Sequence, residues 1–355
     1  MTPDLPQSIG REQTLMTENK KSRVVIVFAV LIILTALLFF INLCIGNVQV
    51  SFSTLTEVLF SGDGEEKLRN IILNIRLPRA LMAMVLGGGL AVSGFLLQTY
   101  FSNPIAGPYI LGISSGAKMT VALFLIFVVG STGHSSSTLL VISAFVGSII
   151  ATGFIILISR SVKNMAALLA AGIMIGYICS AITDFLIAFA DDSDIVNLHG
   201  WSQGSFSGAN MDSAYYCIGI VAVTMVFVML LSKSLDAFRL GETYAKSVGV
   251  NVRVCRILII VLSSILSSCV TAFAGPVSFI GIAVPFLMRE TLRSSRPIIL
   301  IPASFFSGAI FCLVSDLLAR RMFAPTELNI SAVTSLFGAP IVIFMIIRRH
   351  RNREN

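Results

Sequence analysis

Residues 24–45 read VVIVFAVLIILTALLFFINLCI and contain no charged side chain. A helix needs about 20 apolar residues to cross the hydrocarbon core of a bilayer, so this run is long enough to span a membrane. It is too long for the core of a signal peptide, and no obvious cleavage site follows it. It therefore predicts a first membrane-spanning helix that is retained, preceded by a polar N-terminal tail over residues 1–23.

Nine further hydrophobic segments follow this first one. They cover approximately residues 79–98, 105–130, 138–158, 165–190, 213–231, 257–274, 279–288, 298–319 and 332–347. The segment 279–288 is too short to cross unaided and lies between prolines, so we expect a half-helix packed inside the bundle or a re-entrant segment. With 55% hydrophobic and 12% charged residues, the chain is not a soluble enzyme. It is predicted to be an all-α polytopic membrane protein with about ten transmembrane helices over residues 24–348.

The placement of basic residues predicts the orientation of these helices. If the N-terminus is cytoplasmic, 18 of the 25 Lys and Arg residues fall on the inner segments. Such an excess is typical of cytoplasmic loops. Both termini, including the basic tail 349–355, are therefore predicted inside, with Met16 an alternative start to Met1. The net charge of +7 marks topology and not a nucleic-acid partner, because no aromatic residues are interleaved for base stacking.

No residue pattern indicates chemistry performed by the chain itself. The six cysteines are far apart without a CxxC pair, and His134, His199 and His350 lie in separate segments. We therefore expect buried cysteines in the core, no metal site and no bound cofactor. Phosphate-binding loops and hydrolase nucleophile motifs are also lacking, so no catalytic residue is predicted. Function is expected in transport or in binding at the membrane faces.

The longest inner loop, residues 232–253, has the pattern of a compact folded element. Leu240-Gly241-Glu242 is followed by Ala245 and then by Gly249, which suggests two short helices separated by glycine turns. A folded loop with an apolar stripe needs a surface to dock against. The alternative is an ordinary solvated connector.

Several ordered motifs resemble one transporter family. They are Arg76-Leu-Pro-Arg79, the glycine-rich 87–94 with Gln98, Asn103-Pro-Ile-Ala-Gly-Pro108, Leu111-Gly-Ile-Ser-Ser-Gly-Ala117, Leu240-Gly-Glu242, Ala274-Gly-Pro-Val-Ser-Phe-Ile-Gly281, Asp316-Leu-Leu-Ala-Arg320 and Gly338-Ala-Pro340. Together they resemble the iron-siderophore and cobalamin permease family of ATP-binding-cassette importers. The resemblance runs from about residue 25 to 348. Phe286 departs from it, because the family usually has histidine after the proline of this segment.

The resemblance implies a type II importer in the bacterial cytoplasmic membrane. Two permease subunits would form the pathway, two ATPase subunits would bind ATP and magnesium, and an extracytoplasmic binding protein would deliver the ligand. It also assigns ATPase coupling to five loop residues, namely Leu240, Gly241, Glu242, Ala245 and Gly249. The two halves of the fold, spans two to five and seven to ten, would have inverted orientation, as in many transporters.

Four arginines on the predicted outer face are candidates for docking the binding protein. Arg76 and Arg79 precede the second span, and Arg320 and Arg321 follow the ninth. Guanidinium groups suit the recognition of carboxylates, which the resemblance places on the binding protein. The alternative is interfacial snorkelling or local pairing, for example Asp316 with Arg320 at i,i+4 spacing.

A further set of residues is predicted to line the pathway or a gate. The candidates are Gln98, Asn103, Pro104, Lys118, Trp201, Gly204 and Ser205. Pro104 and Pro108 should break the start of the third span, leaving Asn103 near an inner gate. Lys118 is the one basic residue deep in a span, so it should face a wet cavity or a structural partner. The glycines at 87, 88, 89 and 94 favour close helix packing over gating.

The predicted cargo is a ferric siderophore, with haem or cobalamin as alternatives. A secondary transporter driven by protons or sodium would need intramembrane carboxylates, and Asp184 and Asp316 both lie near span ends. A polytopic membrane enzyme would need a catalytic cluster at one interface, and none is visible. The lipid bilayer is the remaining expected partner.

Overall fold

The computed structural model describes residues 7–46, 48–61, 65–129, 137–162 and 164–354, and within these ranges all regular structure is helical. The helices are α1 (Gln7–Cys44), α2 (Phe52–Thr56), α3 (Glu66–Tyr100), α4 (Ile113–Val129), α5 (Ser137–Ser161), α6 (Met165–Ile187), α7 (Asp192–Ser202), α8 (Met211–Leu230), α9 (Ser232–Arg239), α10 (Glu242–Ser247), α11 (Val252–Ala274), α12 (Ile280–Leu292), α13 (Pro297–Arg321) and α14 (Ile330–Glu354). His134, Lys163 and the first six residues fall outside the described ranges.

The helices confirm the predicted all-α polytopic fold. Eight described helices are long and apolar enough to cross a membrane, and each corresponds to a predicted span. The other two predicted spans are the shorter α4 and the 13-residue α12. The polar tails predicted at both ends continue as helix, from Gln7 into α1 and through Glu354 in α14.

Two predicted boundaries were wrong. The third span was placed from residue 105, but α4 begins only at Ile113, after a 3-10 turn over Pro108–Leu111. Proline removes a backbone donor and fixes φ, so Pro104 and Pro108 delay the helix by two turns. The second span was placed from residue 79, but helix α3 starts at Glu66 and includes a π-helical stretch over Ile71–Arg76.

Helix α3 forms the centre of the bundle. It packs against α8, α11, α12 and α13. In its most apolar stretch of 18 residues 89% of the residues are buried, compared with 11% in α1. Glycines allow this close packing. A Cβ at Gly87 would lie 2.6 Å from the Gly308 carbonyl oxygen, and one at Gly94 would lie 1.7 Å from the Gly281 carbonyl oxygen. The predicted packing role is confirmed at Gly87 and Gly94, whereas Gly89 has room for a Cβ at ordinary contact distance.

The chain leaves helical geometry at two places that meet inside the bundle. One break follows α3 and the other separates α11 from α12. The backbone N–H of Val277 donates a hydrogen bond of 2.7 Å to the Tyr109 hydroxyl, which joins them. Such backbone is tolerated at membrane depth where protein buries it. Each break follows the first helix of one predicted half, α3 or α11, and the inverted repeat stays a prediction.

Candidate functional site

The loop between α8 and α11 is a small folded unit, as predicted. Helices α9 and α10 are separated by Gly241 at φ +114°, and α10 is followed by Gly249 at φ +84°. Only glycine adopts these angles readily, so both turns depend on it. Leu235 and Phe238 are buried, and the Phe238 ring stacks on Tyr100 with ring centroids 6.2 Å apart. The loop is therefore fixed to the end of α3.

The same loop carries three exposed apolar side chains, which we call the apolar stripe. Leu240, Tyr244 and Val248 are 59%, 48% and 53% exposed; Tyr244 lies on α10, Leu240 precedes Gly241, and Val248 follows the last residue of α10. Exposed apolar groups grouped on one surface indicate an interaction site. Tyr244 and Val248 were missed as candidates, although their spacing from Leu240 could have identified them.

Two of the predicted coupling residues face inward. Ala245 is completely buried, and its carbonyl accepts a 2.9 Å hydrogen bond from the Val250 backbone N–H. It therefore stabilises the loop and does not contact a partner directly. Glu242 forms an ion pair with Arg256, which ties α10 to α11. The exposed stripe, held in place by these inner contacts, is the surface available for coupling.

At the opposite end of the bundle, a buried carboxylate binds two arginines. Asp316 is 1% exposed, and its oxygens lie 3.0 Å from Arg79 Nε and 3.1 Å from Arg320 Nε. Arg79 Nη1 also lies 3.1 Å from a carboxylate oxygen of the half-exposed Glu327. The local pair Asp316–Arg320, proposed as the alternative to docking, is present in the structure.

The remaining outer arginines bond to backbone carbonyls. Arg76 is buried and donates to the carbonyls of Leu43 and Cys44, at 2.7 and 2.8 Å. Arg321 is exposed, with a 3.3 Å bond from Nη1 to the Gly46 carbonyl. Arg76, like Arg79 and Arg320, is thus occupied within the protein. Exposure favours a docking role only for Arg321, and that role stays a prediction.

The segment around Trp201 lies against the second chain break. The Ser205 backbone N–H donates to the Ala274 carbonyl at 2.8 Å, and the Ile330 N–H donates to the Gly204 carbonyl at 3.2 Å. Gly275 has φ +74°, and a Cβ there would lie 2.6 Å from the Trp201 carbonyl oxygen. Three distant parts of the chain therefore meet at one point beside the break.

Several predicted gate residues line one cavity of ≈ 680 Å³ at the end of the bundle that carries α9. Gln98, Asn103, Pro104 and Phe286 contribute to its wall. The Gln98 side chain donates to the Ile282 carbonyl at 3.0 Å. Phe286 places an apolar ring where the family usually has histidine.

The rim of this cavity is basic. It carries Arg239, Arg289, Arg293 and Arg348, together with Glu290, which pairs with Arg348 at 3.0 Å. All four arginines come from segments predicted to be cytoplasmic, so those segments share one end of the molecule. Lys118 does not line this cavity: it is half-buried on α4.

The cysteines behave as small apolar residues. All six are unpaired; Cys44 is partly exposed, and the other five are buried. Among the residues that the structure describes, no three His, Cys, Asp or Glu side chains converge as a metal site would require.

Comparison with known proteins identifies the family. Residues 33–348 match the FecCD transport family. The hemin transport system permease protein HmuU of Yersinia pestis is 34% identical, over 91% of this chain and 96% of its own. The vitamin B12 import system permease protein BtuC of Vibrio vulnificus is 34% identical, over 93% and 95%. The iron(3+)-hydroxamate import system permease protein FhuG of Bacillus subtilis is 31% identical, over 93% and 99%.

A solved structure agrees. An inward-facing metal-chelate type ABC transporter superposes with a TM-score of 0.80 and 28% identity, over 91% of this chain and 99% of that one. The chain belongs to the FecCD transport family of ABC importer permeases. It is a multi-pass membrane transport subunit.

Proposed function

We propose that the chain is the permease subunit of an importer that moves a ferric siderophore or a related iron chelate across the bacterial cytoplasmic membrane. A second permease subunit completes the pathway, a pair of ATPase subunits drives it, and an extracytoplasmic binding protein supplies the cargo. The relatives named above handle hemin, vitamin B12 and ferric hydroxamate. All three ligands are large metal chelates, which supports this cargo class. Haem and cobalamin are the alternative cargoes.

The observation that carries the proposal is the stripe formed by Leu240, Tyr244 and Val248. It lies on a loop whose position is fixed by Phe238 and by the Glu242–Arg256 pair. Because the loop is fixed, a movement of the partner bound to the stripe can be transmitted through the loop to α11. An ATPase cleft is the expected partner, because the loop lies on the side predicted to be cytoplasmic.

The Tyr244→Ser variant tests this assignment. Aromatic residues at interface centres contribute about 2 kcal/mol or more, so we expect at least a tenfold loss of ATPase affinity. Co-purification with the candidate ATPase and ATP-driven uptake in proteoliposomes measure the effect. Lys233→Ser is the control, since Lys233 is exposed on α9 but outside the stripe, and it should retain both activities.

The rival mechanisms make different predictions in the same proteoliposomes. An ion-coupled transporter would take up cargo on a proton or sodium gradient with no ATPase bound, and that result would refute the importer assignment. The cargo is identified by competition among ferric hydroxamate, haem and cobalamin for uptake through the binding protein. Uptake through a siderophore permease should be inhibited by ferric hydroxamate and not by haem or cobalamin.

A further inference from the structure

A second cavity, separate from the one lined by Gln98 and Asn103, lies at the α9 end of the bundle. It has a volume of ≈ 1010 Å³ and lies among the ends of α5, α6, α10 and α11. Its described lining is rich in cationic side chains, namely those of Arg160, Lys246, Arg253 and Arg256. One described carboxylate, that of Glu242, also lines it. That carboxylate is already paired with Arg256. The side chains of Arg160, Lys246 and Arg253 are exposed, so three positive charges face the cavity.

Two helix N-termini add to this positive potential. Helix α6 begins at Met165 and α11 begins at Val252, and both residues line the cavity. Each N-terminus is capped by an asparagine Oδ1, which accepts from the backbone N–H of Ala166 at 2.9 Å in Asn164 and from that of Val254 at 3.2 Å in Asn251; the N–H groups of Met165 and Val252 are not bonded by these caps. The helix dipole places partial positive charge at such ends, and phosphate groups commonly bind there.

An unpartnered donor points to the same kind of ligand. Arg256 is only 17% exposed, and its buried Nε has no hydrogen-bond partner within the described part of the chain. A buried donor left without a partner costs about 1–3 kcal/mol, so such groups usually bind something. An anionic oxygen in the cavity would satisfy it.

Apolar side chains adjoin the cavity on the same helices. Leu157 precedes Arg160 by one turn on α5 and is 58% exposed. Met165 on α6 and Ile257 on α11 are partly exposed and line the cavity. A ligand with a phosphate group and attached acyl chains would match both parts of this surface. Basic pockets between transmembrane helices on the cytoplasmic side suit anionic lipid headgroups.

We propose that this cavity binds the phosphate of an anionic phospholipid from the cytoplasmic leaflet. The bound headgroup would bridge Lys246 on α10 with Arg253 on α11 and so hold the loop that carries the apolar stripe. The regulatory consequence rests on the proposed function, because it needs an ATPase on that stripe. Lipid binding itself does not.

Lipid binding is measured on the purified permease alone. Native mass spectrometry of the protein in mild detergent, titrated with phosphatidylglycerol or phosphatidylcholine, gives the affinity for each lipid. We expect the parental protein to prefer phosphatidylglycerol, and the double variant Arg160→Gln/Arg253→Gln to lose at least tenfold in affinity. Lys21→Gln/Arg23→Gln removes the same charge from exposed positions within α1, and it should change the affinity less than twofold.

Three results would show that the cavity binds something other than an anionic lipid, either free phosphate or the ATPase. Equal affinity of the parental protein for both lipids would overturn the proposal. Displacement of the lipid by millimolar inorganic phosphate would show that a free anion is the ligand, which also overturns it. Unchanged lipid binding with a loss of ATPase affinity in the cavity variant would assign the cations to the ATPase interface instead. Trp201 fluorescence and gel filtration verify that each variant is folded.

Because the titration contains no ATPase and no cargo, its outcome is independent of the transport assay. Preferential lipid binding together with failed ATP-driven uptake would refute the proposed function alone. Successful uptake without lipid preference would refute this site alone.

Discussion

Helices α3 and α12 approach each other closely where Gly94 contacts Gly281. Among the described glycines, Gly94 is the one where an added methyl group would come nearest to another atom. A Cβ at Gly94 would lie 1.7 Å from the Gly281 carbonyl oxygen, half of the 3.4 Å at which ordinary contact begins. Both partners are backbone, so no side chain can turn aside. The variant Gly94→Ala must therefore push two helices apart in the most buried part of the bundle.

The size of the effect follows from two opposing terms. Overpacking a core costs about 1–3 kcal/mol and occasionally more, and a backbone clash belongs at the upper end. Alanine regains about 1 kcal/mol of helix propensity over glycine. We expect Gly94→Ala to lower the free energy of unfolding by about 2 kcal/mol.

Gly89 on the same helix is the matched control. A Cβ there would meet Leu266 and Val221 side chains at 3.5 Å, an ordinary contact. Gly89→Ala should therefore keep the propensity gain of about 1 kcal/mol. The two variants should differ by about 3 kcal/mol, more than a hundredfold in the unfolding equilibrium constant.

Unfolding in mixed micelles of mild detergent and increasing SDS measures this difference. Trp201 is the single tryptophan and reports on the fold by its fluorescence. If Gly94→Ala and Gly89→Ala unfold at the same SDS fraction, the close approach does not contribute to stability and the packing argument fails.

Four further variants test other contacts. Asp316→Asn leaves buried Arg320 without its charge partner and Arg79 with only the half-exposed Glu327, and it should cost about 3–5 kcal/mol in the SDS assay; Glu327→Gln, at a half-exposed site, should cost less than about 1 kcal/mol. Tyr109→Phe leaves the Val277 N–H without its acceptor, so we expect a loss of about 1–3 kcal/mol; no change in the SDS midpoint would contradict that hydrogen bond. Gly241→Ala forces a side chain to φ +114° and should reduce ATPase co-purification while leaving the SDS midpoint of the bundle unchanged, since the loop lies outside it.

Local patterns in the sequence predicted the elements that depend on local physics. The hydrophobic runs gave the spans, and the prolines around residues 276–285 gave the short α12. Gly241 and Gly249 predicted the two turns of the loop, because glycine is the residue that adopts a positive φ without strain. Each of these predictions needed only neighbours along the chain.

Contacts between distant residues could not be predicted in the same way. Arg79 binds Glu327 across 248 positions, and no periodicity connects the two. The burial of Ala245 depends on how the loop folds back on itself, which its composition does not reveal. For the same reason, the sequence did not show that three of the four predicted docking arginines are occupied within the protein.

The buried arginines connect to the second chain break, which bears on how docking variants must be interpreted. Arg79 holds Glu327, and three residues later the Ile330 N–H donates to the Gly204 carbonyl beside that break. Ser331 then donates from its hydroxyl to the Pro276 carbonyl. We infer that replacing Arg79 releases this short connection and alters the geometry around Gly204 whether or not a binding protein touches the arginine. A loss of transport in an Arg79 variant therefore identifies a docking residue only if the SDS midpoint and Trp201 fluorescence are unchanged. Arg321 is exposed at the C-terminal end of α13, next to Arg320, so its replacement tests docking directly.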